Sequence, residues 1–133
     1  MRFTHVDHIG IAVENLEEGI ATYTLLFGCG PSRRVTVISE QVEVAFFNVG
    51  PTRIELLAAT DSTSPVAKFC AKRGPGIHHI AFAVPDLATA VSALKADGMT
   101  PTTDGVRYGA GRHKIAFLHP KQTGGVLIEL VEK

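Results

Sequence analysis

The sequence predicts an α+β fold in which a βαβββ module occurs twice. Residues 7–13 (DHIGIAV) recur in altered form as residues 78–84 (HHIAFAV), so that His8 matches His79 at an offset of 71 residues. The ends of the two modules repeat as well, because residues 52–57 (TRIELL) resemble residues 126–131 (VLIELV). Since both copies combine alternating apolar strands with one helix-length segment, we expect the same series of elements in each half.

The first module is defined by apolar runs and the turn residues between them. Residues 4–13 are predicted to form a strand, and Asn15 is placed to cap the helix that follows. That helix should end at Gly28, because glycine accepts the left-handed conformation of a helix end and Pro31 prevents continuation. Three further strands are expected, at residues 34–39, 42–48 and 53–58.

The second module follows a polar linker. Residues 60–65 end in a serine and a proline suited to a helix start, and Gly74-Pro75-Gly76 should break the short helix after Arg73. The second module is then predicted as a strand, a helix and three strands, at residues 77–84, 86–96, near 99–103, 113–118 and 126–131. We therefore expect a single domain over residues 1–133, with module 1 at about 1–60, the linker and short helix at about 61–75, and module 2 at about 76–133.

The composition narrows the classes of partner. With 13 basic and 13 acidic residues the formal charge is zero, and no basic cluster interleaved with aromatics is present, which argues against nucleic acid as a partner. Cys29 and Cys70 form neither a metal-type pair nor a disulfide framework, so a reducing cytoplasm is the expected location. The sequence has neither a signal-type apolar core at its start nor an apolar run near the roughly 18 residues of a membrane span, so no membrane partner is expected.

The two histidine-bearing strands have one bulky face and one face of small residues. Alternate side chains of a strand share a face, so His8 lies with Gly10 and Ala12, and His79 lies with Ala81 and Ala83. The opposite faces are apolar and can pack on a helix. This pattern leaves room around both imidazoles.

Each module offers one histidine on its first strand and one glutamate on its last. Glu55 follows His8 by 47 residues, and Glu129 follows His79 by 50. A carboxylate in an apolar strand commonly marks a sheet edge or an outward face. A set divided evenly between two related halves instead favours a metal at a pseudo-twofold axis, and two imidazoles with two carboxylates suit a divalent ion with open positions.

The combined pattern resembles the vicinal oxygen chelate superfamily and, within it, the methylmalonyl-CoA epimerases. The resemblance covers nearly the whole chain and is carried by four segments: residues 7–13, 64–69 (SPVAKF), 76–82 (GIHHIAF) and 117–130 (FLHPKQTGGVLIEL). It implies the glyoxalase/bleomycin resistance/dioxygenase-like fold, in which two βαβββ modules form a curled mixed sheet around a metal cleft. It also implies an acyl-CoA substrate and a homodimer.

The resemblance further implies a ligand set and a reaction. His8, His79 and Glu129 would bind one divalent ion, Co²⁺ in first place with Mn²⁺, Ni²⁺ or Zn²⁺ as alternatives, and Glu55 stands where many relatives have Gln or Glu. The reaction would interconvert (R)- and (S)-methylmalonyl-CoA by 1,1-proton transfer through a metal-stabilised enolate, with Glu129 and Glu55 as the catalytic bases.

Three alternatives stay open at this stage. Some epimerases have a proposed catalytic glutamate at the position that Val44 occupies here, and Glu43 could replace it only if a bulge shifted the strand register. A lactoylglutathione lyase would use much the same ligands, and a metal-free resistance protein would share the fold. Basic side chains could contact coenzyme A phosphates or could form a solvated surface: Arg107, Arg112, Lys114 and Lys121.

Overall fold

The computed structural model describes residues 1–102, the backbone of residues 107 and 108, and residues 113–133. The first series of elements is β1 (His5–Ala12), α1 (Leu16–Phe27), β2 (Arg33–Val37), β3 (Val42–Val49) and β4 (Thr52–Ala59). Helix α2 (Pro65–Arg73) follows, and the second series is β5 (Gly76–Val84), α3 (Leu87–Ala96), β6 (Arg107–Tyr108), β7 (Lys114–Leu118) and β8 (Ile128–Glu132). The predicted succession of two βαβββ modules is confirmed.

One predicted strand is misplaced. Residues 99–102 are not in a strand, residue 103 lies outside the described residues, and the two-residue strand β6 occurs further along the chain. Met99 packs into the core beside α3, and Pro101 has no backbone N–H to donate to a ladder. The backbone N–H of Thr102 donates to Phe117 instead. In this segment the packing of Met99 into the core therefore replaces strand pairing.

The three α-helices within the described residues each begin at a polar residue that the sequence places there. Asn15, Ser64 and Asp86 each accept a backbone N–H with their side chain, which satisfies one of the unpaired donors of a first helical turn. In α1 the chain leaves the helix through Gly28, whose φ of 78° is the left-handed conformation that glycine adopts without steric cost.

The chain divides into two compact units. The central unit comprises residues 9–78, and the discontinuous unit comprises residues 1–8 together with residues 79–133. Strand β1 therefore contributes its beginning to the discontinuous unit and its end to the central unit.

The central unit packs α1 against an antiparallel sheet. Strand β3 pairs with β2 on one side and with β4 on the other, and the β3–β4 register runs without interruption from Val42↔Ala59 to Val49↔Thr52. Its buried core joins Phe47 and Leu56 to the inner stripe of α1, in which Ile20, Tyr23 and Phe27 pack. These side chains form the face of α1 that packs against the sheet.

The discontinuous unit contains β5 to β8 and α3. Strand β5 pairs in parallel with β8, and β8 pairs antiparallel with β7. On one face of this sheet Leu118 and Leu130 form a core with Leu94 of α3. The opposite face carries Ala81, Ile115 and Val131.

No helix in the described parts of the chain has both the length and the apolar character needed to cross a membrane. Cys29 and Cys70 are both free thiols.

Candidate metal centre

The pairing of β5 with β8 brings His79 and Glu129 to the same face of the sheet. In the parallel register Ala81 lies opposite Glu129, and paired residues of neighbouring strands share a face. His79 precedes Ala81 by two residues on β5, so its side chain points to that face as well. Both side chains are buried, at 6% and 5% exposure.

His8 completes the group from the first segment of the discontinuous unit. Its side chain is 5% exposed, and its Nε2 lies 3.1 Å from Nε2 of His79. The same Nε2 lies 3.1 Å from Oε2 of Glu129, while Nε2 of His79 lies 3.9 Å from Oε1 of Glu129. Potential ligand atoms of all three residues lie within 4.8 Å of one another.

This spacing fits a divalent metal ion. Ligand atoms about 2.1 Å from an ion and at right angles around it lie about 3.0 Å apart. Two imidazole nitrogens and one carboxylate suit a borderline divalent ion and leave coordination positions for other ligands. The chemistry of the donor set therefore matches a metal site with open coordination positions.

The remaining ring nitrogen of His8 is directed at an acidic side chain. Nδ1 of His8 lies 2.7 Å from Oδ2 of Asp7, which is itself 2% exposed. Because Nδ1 meets a carboxylate, Nε2 is the nitrogen turned towards His79 and Glu129. Metal-binding histidines typically have such a partner on the nitrogen that does not bind the ion.

The surroundings of His79 and Glu129 on this face are apolar. Ala81, Ile115 and Val131 form a buried cluster, and Phe117, whose register partner is Glu129, packs against it. Such surroundings exclude water and strengthen electrostatic interactions with a carboxylate.

The neighbouring residue His78 has a different environment. Its ring stacks edge-on against Phe69 with centroids 4.9 Å apart, and burial lowers the pKa of its imidazole. The alternation of side chains along β5 thus separates the two adjacent histidines.

Glu55 lies on β4 in the central unit and is also buried, at 3% exposure. Nη2 of Arg53 donates a hydrogen bond to its Oε2 at 3.0 Å, and the Arg53 guanidinium lies 5.7 Å from the ring centre of Phe46. The outward, solvent-exposed alternative is therefore wrong for both Glu55 and Glu129. A role of Glu55 as a metal ligand or base stays a prediction.

Glu43 occupies the face of β3 that is turned to α1. It alternates with Ala45 and Phe47, which belong to the core beside that helix, and its Oε2 accepts a hydrogen bond from Arg34 at 3.0 Å. Because the β3–β4 register is continuous, no bulge turns Glu43 to the face of Val44. The condition under which Glu43 could replace the missing glutamate is not met.

The sequence motif before β8 builds a tight turn. The side chain of His119 accepts the backbone N–H of Lys121 and so caps the 3₁₀ helix Pro120–Gln122. Gly124 and Gly125 then adopt φ values of 72° and 107°, a region that other residues rarely adopt. The turn sets the residue at which β8 begins, and hence the face on which Glu129 lies.

The proposed phosphate contacts are only partly described. Arg112 and the side chain of Arg107 lie outside the described residues. Nζ of Lys114 lies 4.0 Å from Oε1 of Glu132, and Lys121 is exposed in the turn before β8.

Two polar neighbours of the predicted site residues were missed from the sequence. Arg53 precedes Glu55 by two residues and shares its face, so strand alternation could have identified it. Asp7 could not have been found in this way, because adjacent residues of a strand normally point to opposite faces.

Comparison with known proteins assigns the chain to a family. Residues 7–117 match the model of the glyoxalase/bleomycin resistance protein/dioxygenase superfamily. The chain belongs to this superfamily. The α+β fold class and the family predicted from the sequence are confirmed.

Three relatives are informative. The chain is 38% identical to human mitochondrial methylmalonyl-CoA epimerase over 94% of its length and 72% of the relative. Its sequence is 37% identical to that of methylmalonyl-CoA epimerase from Mycobacterium tuberculosis. The crystal structure of that protein superposes with a TM-score of 0.92, covering 98% of this chain and 89% of that one. A methylmalonyl-CoA epimerase solved in complex with methylmalonyl-CoA and NH₄⁺ is 33% identical, with a TM-score of 0.92 over 98% and 95% of the two chains.

The adjacent histidines allow a direct test of the metal centre. His79→Ala should strongly reduce the metal content of purified, folded protein measured by elemental analysis, because water replaces a lost imidazole ligand poorly. His78→Ala is the matched control and should leave the metal content unchanged, since that ring packs on Phe69. Equal metal content in the two variants would rule out His79 as a ligand.

Proposed function

We propose that this protein is a metal-dependent epimerase that interconverts (R)- and (S)-methylmalonyl-CoA. The observation that carries the proposal is the buried group of His8, His79 and Glu129. It occurs in a chain that is 38% identical to one methylmalonyl-CoA epimerase and similar in structure to another that was solved with methylmalonyl-CoA.

The reaction requires removal of a proton from a carbon between a thioester and a carboxylate. His8, His79 and Glu129 would hold a divalent ion, which would supply a Lewis acid for the negative charge that develops on the thioester oxygen. The protein must then take the proton from one face of the carbon and return a proton to the other. Two acid/base groups are needed, and carboxylates can fill both roles.

Glu129 is the first proposed base. Both of its carboxylate oxygens are turned to the imidazoles, with Oε2 3.1 Å from His8 and Oε1 3.9 Å from His79. The unequal distances make Oε1 the oxygen that is less closely held. A glutamate that binds the metal tightly has to loosen to accept a proton, and the less closely held oxygen is the atom on which we place that proton.

Glu55 is the second proposed base, with metal ligation as its alternative role. The guanidinium of Arg53 at 3.0 Å stabilises the ionised carboxylate and fixes its rotamer in a buried position. This ion pair fixes the position of the carboxylate but lowers its basicity, so the base role requires Glu55 to take up the proton against the charge of Arg53. Because relatives have Gln or Glu at this position, the ligand role and the base role predict different behaviour on substitution.

Small and apolar side chains support recognition of a short acyl group. Ala81 and Ala83 alternate with His79 along β5 and are fully buried. Ala81 and Val131 belong to a closed apolar cluster, and Phe117, which packs against it, is the partly exposed member on the face of Glu129. Beside this ring a methyl group at the stereocentre is accommodated better than a charged substituent.

The identity of the metal, the assembly and the location complete the proposal. Co²⁺ is the proposed ion, with Mn²⁺, Ni²⁺ and Zn²⁺ as alternatives that the same donors accept. A homodimer is supported by the exposed Leu25 and Leu26 of α1, at 86% and 69% exposure. A cytoplasmic location is supported by the two free cysteines.

A lactoylglutathione lyase is the rival enzyme. It would use a similar metal and a similar proton transfer, so the ligand geometry alone does not separate the two reactions. The substrate assay does. Epimerisation of methylmalonyl-CoA no faster than a metal-free control, together with conversion of the hemithioacetal of methylglyoxal and glutathione, would favour the lyase.

Proton exchange with solvent tests the epimerase directly. In deuterated water both stereoisomers should gain deuterium at the α-carbon, because a carboxylate exchanges its proton with solvent far faster than carbon does.

Glu129→Gln should lower the turnover by about two orders of magnitude or more, since an amide is a poor base and a weaker ligand. Mass spectrometry of recovered substrate and a coupled stereochemical assay measure both effects. Inversion without deuterium uptake would contradict the mechanism.

The roles of Glu55 and Glu43 are separated by a matched pair of amide substitutions. If Glu55 is the second base, Glu55→Gln should abolish turnover in at least one direction, whereas a ligand role should preserve much of it. Glu43→Gln should leave turnover near the wild-type value, because Glu43 pairs with Arg34 on the α1 side of the sheet. Initial rates from each pure stereoisomer are the measurement. Loss of activity in Glu43→Gln with activity retained in Glu55→Gln would reverse the assignment.

A further inference from the structure

A buried ion pair lies directly behind the proposed metal ligand His8. Oδ2 of Asp7 lies 2.7 Å from Nδ1 of His8, and Oδ1 of the same carboxylate lies 2.9 Å from Nζ of Lys133. The Asp7 side chain is 3% exposed and that of Lys133 is 26% exposed. The three groups form a continuous chain from the edge of the discontinuous unit to the imidazole.

The backbone fixes both ends of this chain. Asp7 and His8 are consecutive residues of β1, and the backbone N–H of Lys133 donates to the carbonyl of Val84 in β5 at 2.9 Å. The Asp7 carboxylate is thus held from both sides, by an imidazole and by an ammonium group. A buried carboxylate is costly unless both of its oxygens have partners, and here both do.

A carboxylate next to Nδ1 favours the tautomer in which that nitrogen carries the proton. Nε2 then presents its lone pair, and the ring is prevented from turning. Metal ligation requires such a lone pair, and a partner on the second nitrogen increases the basicity of the nitrogen that binds.

We propose that Asp7 and Lys133 are positioning residues that set the tautomer and the orientation of His8 for metal binding. Lys133 acts through Asp7 by holding the carboxylate in the rotamer that faces the imidazole. This inference rests on the metal centre proposed above, but it concerns residues that do not touch the ion.

The test uses Zn²⁺ alone as the probe and measures its affinity by competition with a chromophoric chelator. Asp7→Asn should weaken zinc binding about 10- to 100-fold, the usual effect of removing a partner of a metal-binding histidine. Lys133→Met should weaken it less, and Lys133→Arg should restore it because the positive charge is kept. Asp97→Asn is the matched control, since that exposed carboxylate pairs with Arg2 and should leave zinc binding unchanged.

A second measurement does not depend on any variant. Nitrogen-15 NMR of histidine-labelled, zinc-loaded wild-type protein should show His8 bound to the ion through Nε2, with its proton on Nδ1. A proton on Nε2 would overturn the proposal, even if Asp7→Asn failed to fold. Wild-type affinity in a folded Asp7→Asn variant would overturn it as well.

The two proposals fail in different ways. Wild-type protein that binds no zinc, or His79→Ala that binds zinc as tightly as wild type, would contradict the metal centre itself. Normal loss of zinc in His79→Ala, combined with unchanged binding in Asp7→Asn, would contradict only the role of Asp7.

Discussion

The parallel pairing of β5 with β8 is the constraint on which the proposed site depends. It places Ala81 opposite Glu129 and thereby puts His79 and Glu129 on one face of the sheet. A slip of one residue would turn Glu129 to the opposite face, where Leu118 and Leu130 pack against α3. Parallel strands need a long connection, and here α3, β6 and β7 intervene before the turn with Gly124 and Gly125 starts β8. The glycine-containing turn, far from the imidazoles in sequence, therefore helps to determine the position of a ligand.

Burial gives the site its chemical character and also a cost. His8, His79 and Glu129 are all at most 6% exposed, so their polar atoms have given up most of their contact with water. Such desolvation is unfavourable unless partners replace the lost hydration. The hydrogen bond between Asp7 and Nδ1 of His8 offsets part of this cost. A cation bound between Nε2 of His8, His79 and Glu129 would offset more of it. The same arrangement explains why a bound ion should stabilise the folded chain as well as activate a substrate.

Internal repetition is the reason that much of this site could be predicted from the sequence. His8 and His79 occupy equivalent positions in two similar strands, and strand alternation groups each of them with small residues on one face. The same rule placed Glu43 and Val44 on opposite faces of β3, as the uninterrupted register shows. Local rules of this kind work where a strand is regular and its neighbours are close in sequence.

The failures have equally physical causes. The strand expected near residues 99–103 is absent over residues 99–102, because Pro101 has no backbone N–H to donate and Met99 packs into the core that contains Leu94 of α3. The contact between Asp7 and His8 contradicts simple alternation, and its third member, Lys133, is 126 residues away from Asp7 in the sequence. Long-range side-chain contacts of this type depend on the tertiary structure, and the hydrophobic periodicity of the sequence does not predict them.

The central claim is that one divalent ion is bound by the two imidazoles and the Glu129 carboxylate. X-ray absorption spectroscopy at the metal edge of the Co²⁺-loaded protein tests it most directly, because imidazole rings give a recognisable multiple-scattering pattern. The account predicts two imidazole nitrogens at about 2.1 Å, with oxygen ligands in the remaining positions. A spectrum described by oxygen ligands alone would contradict it.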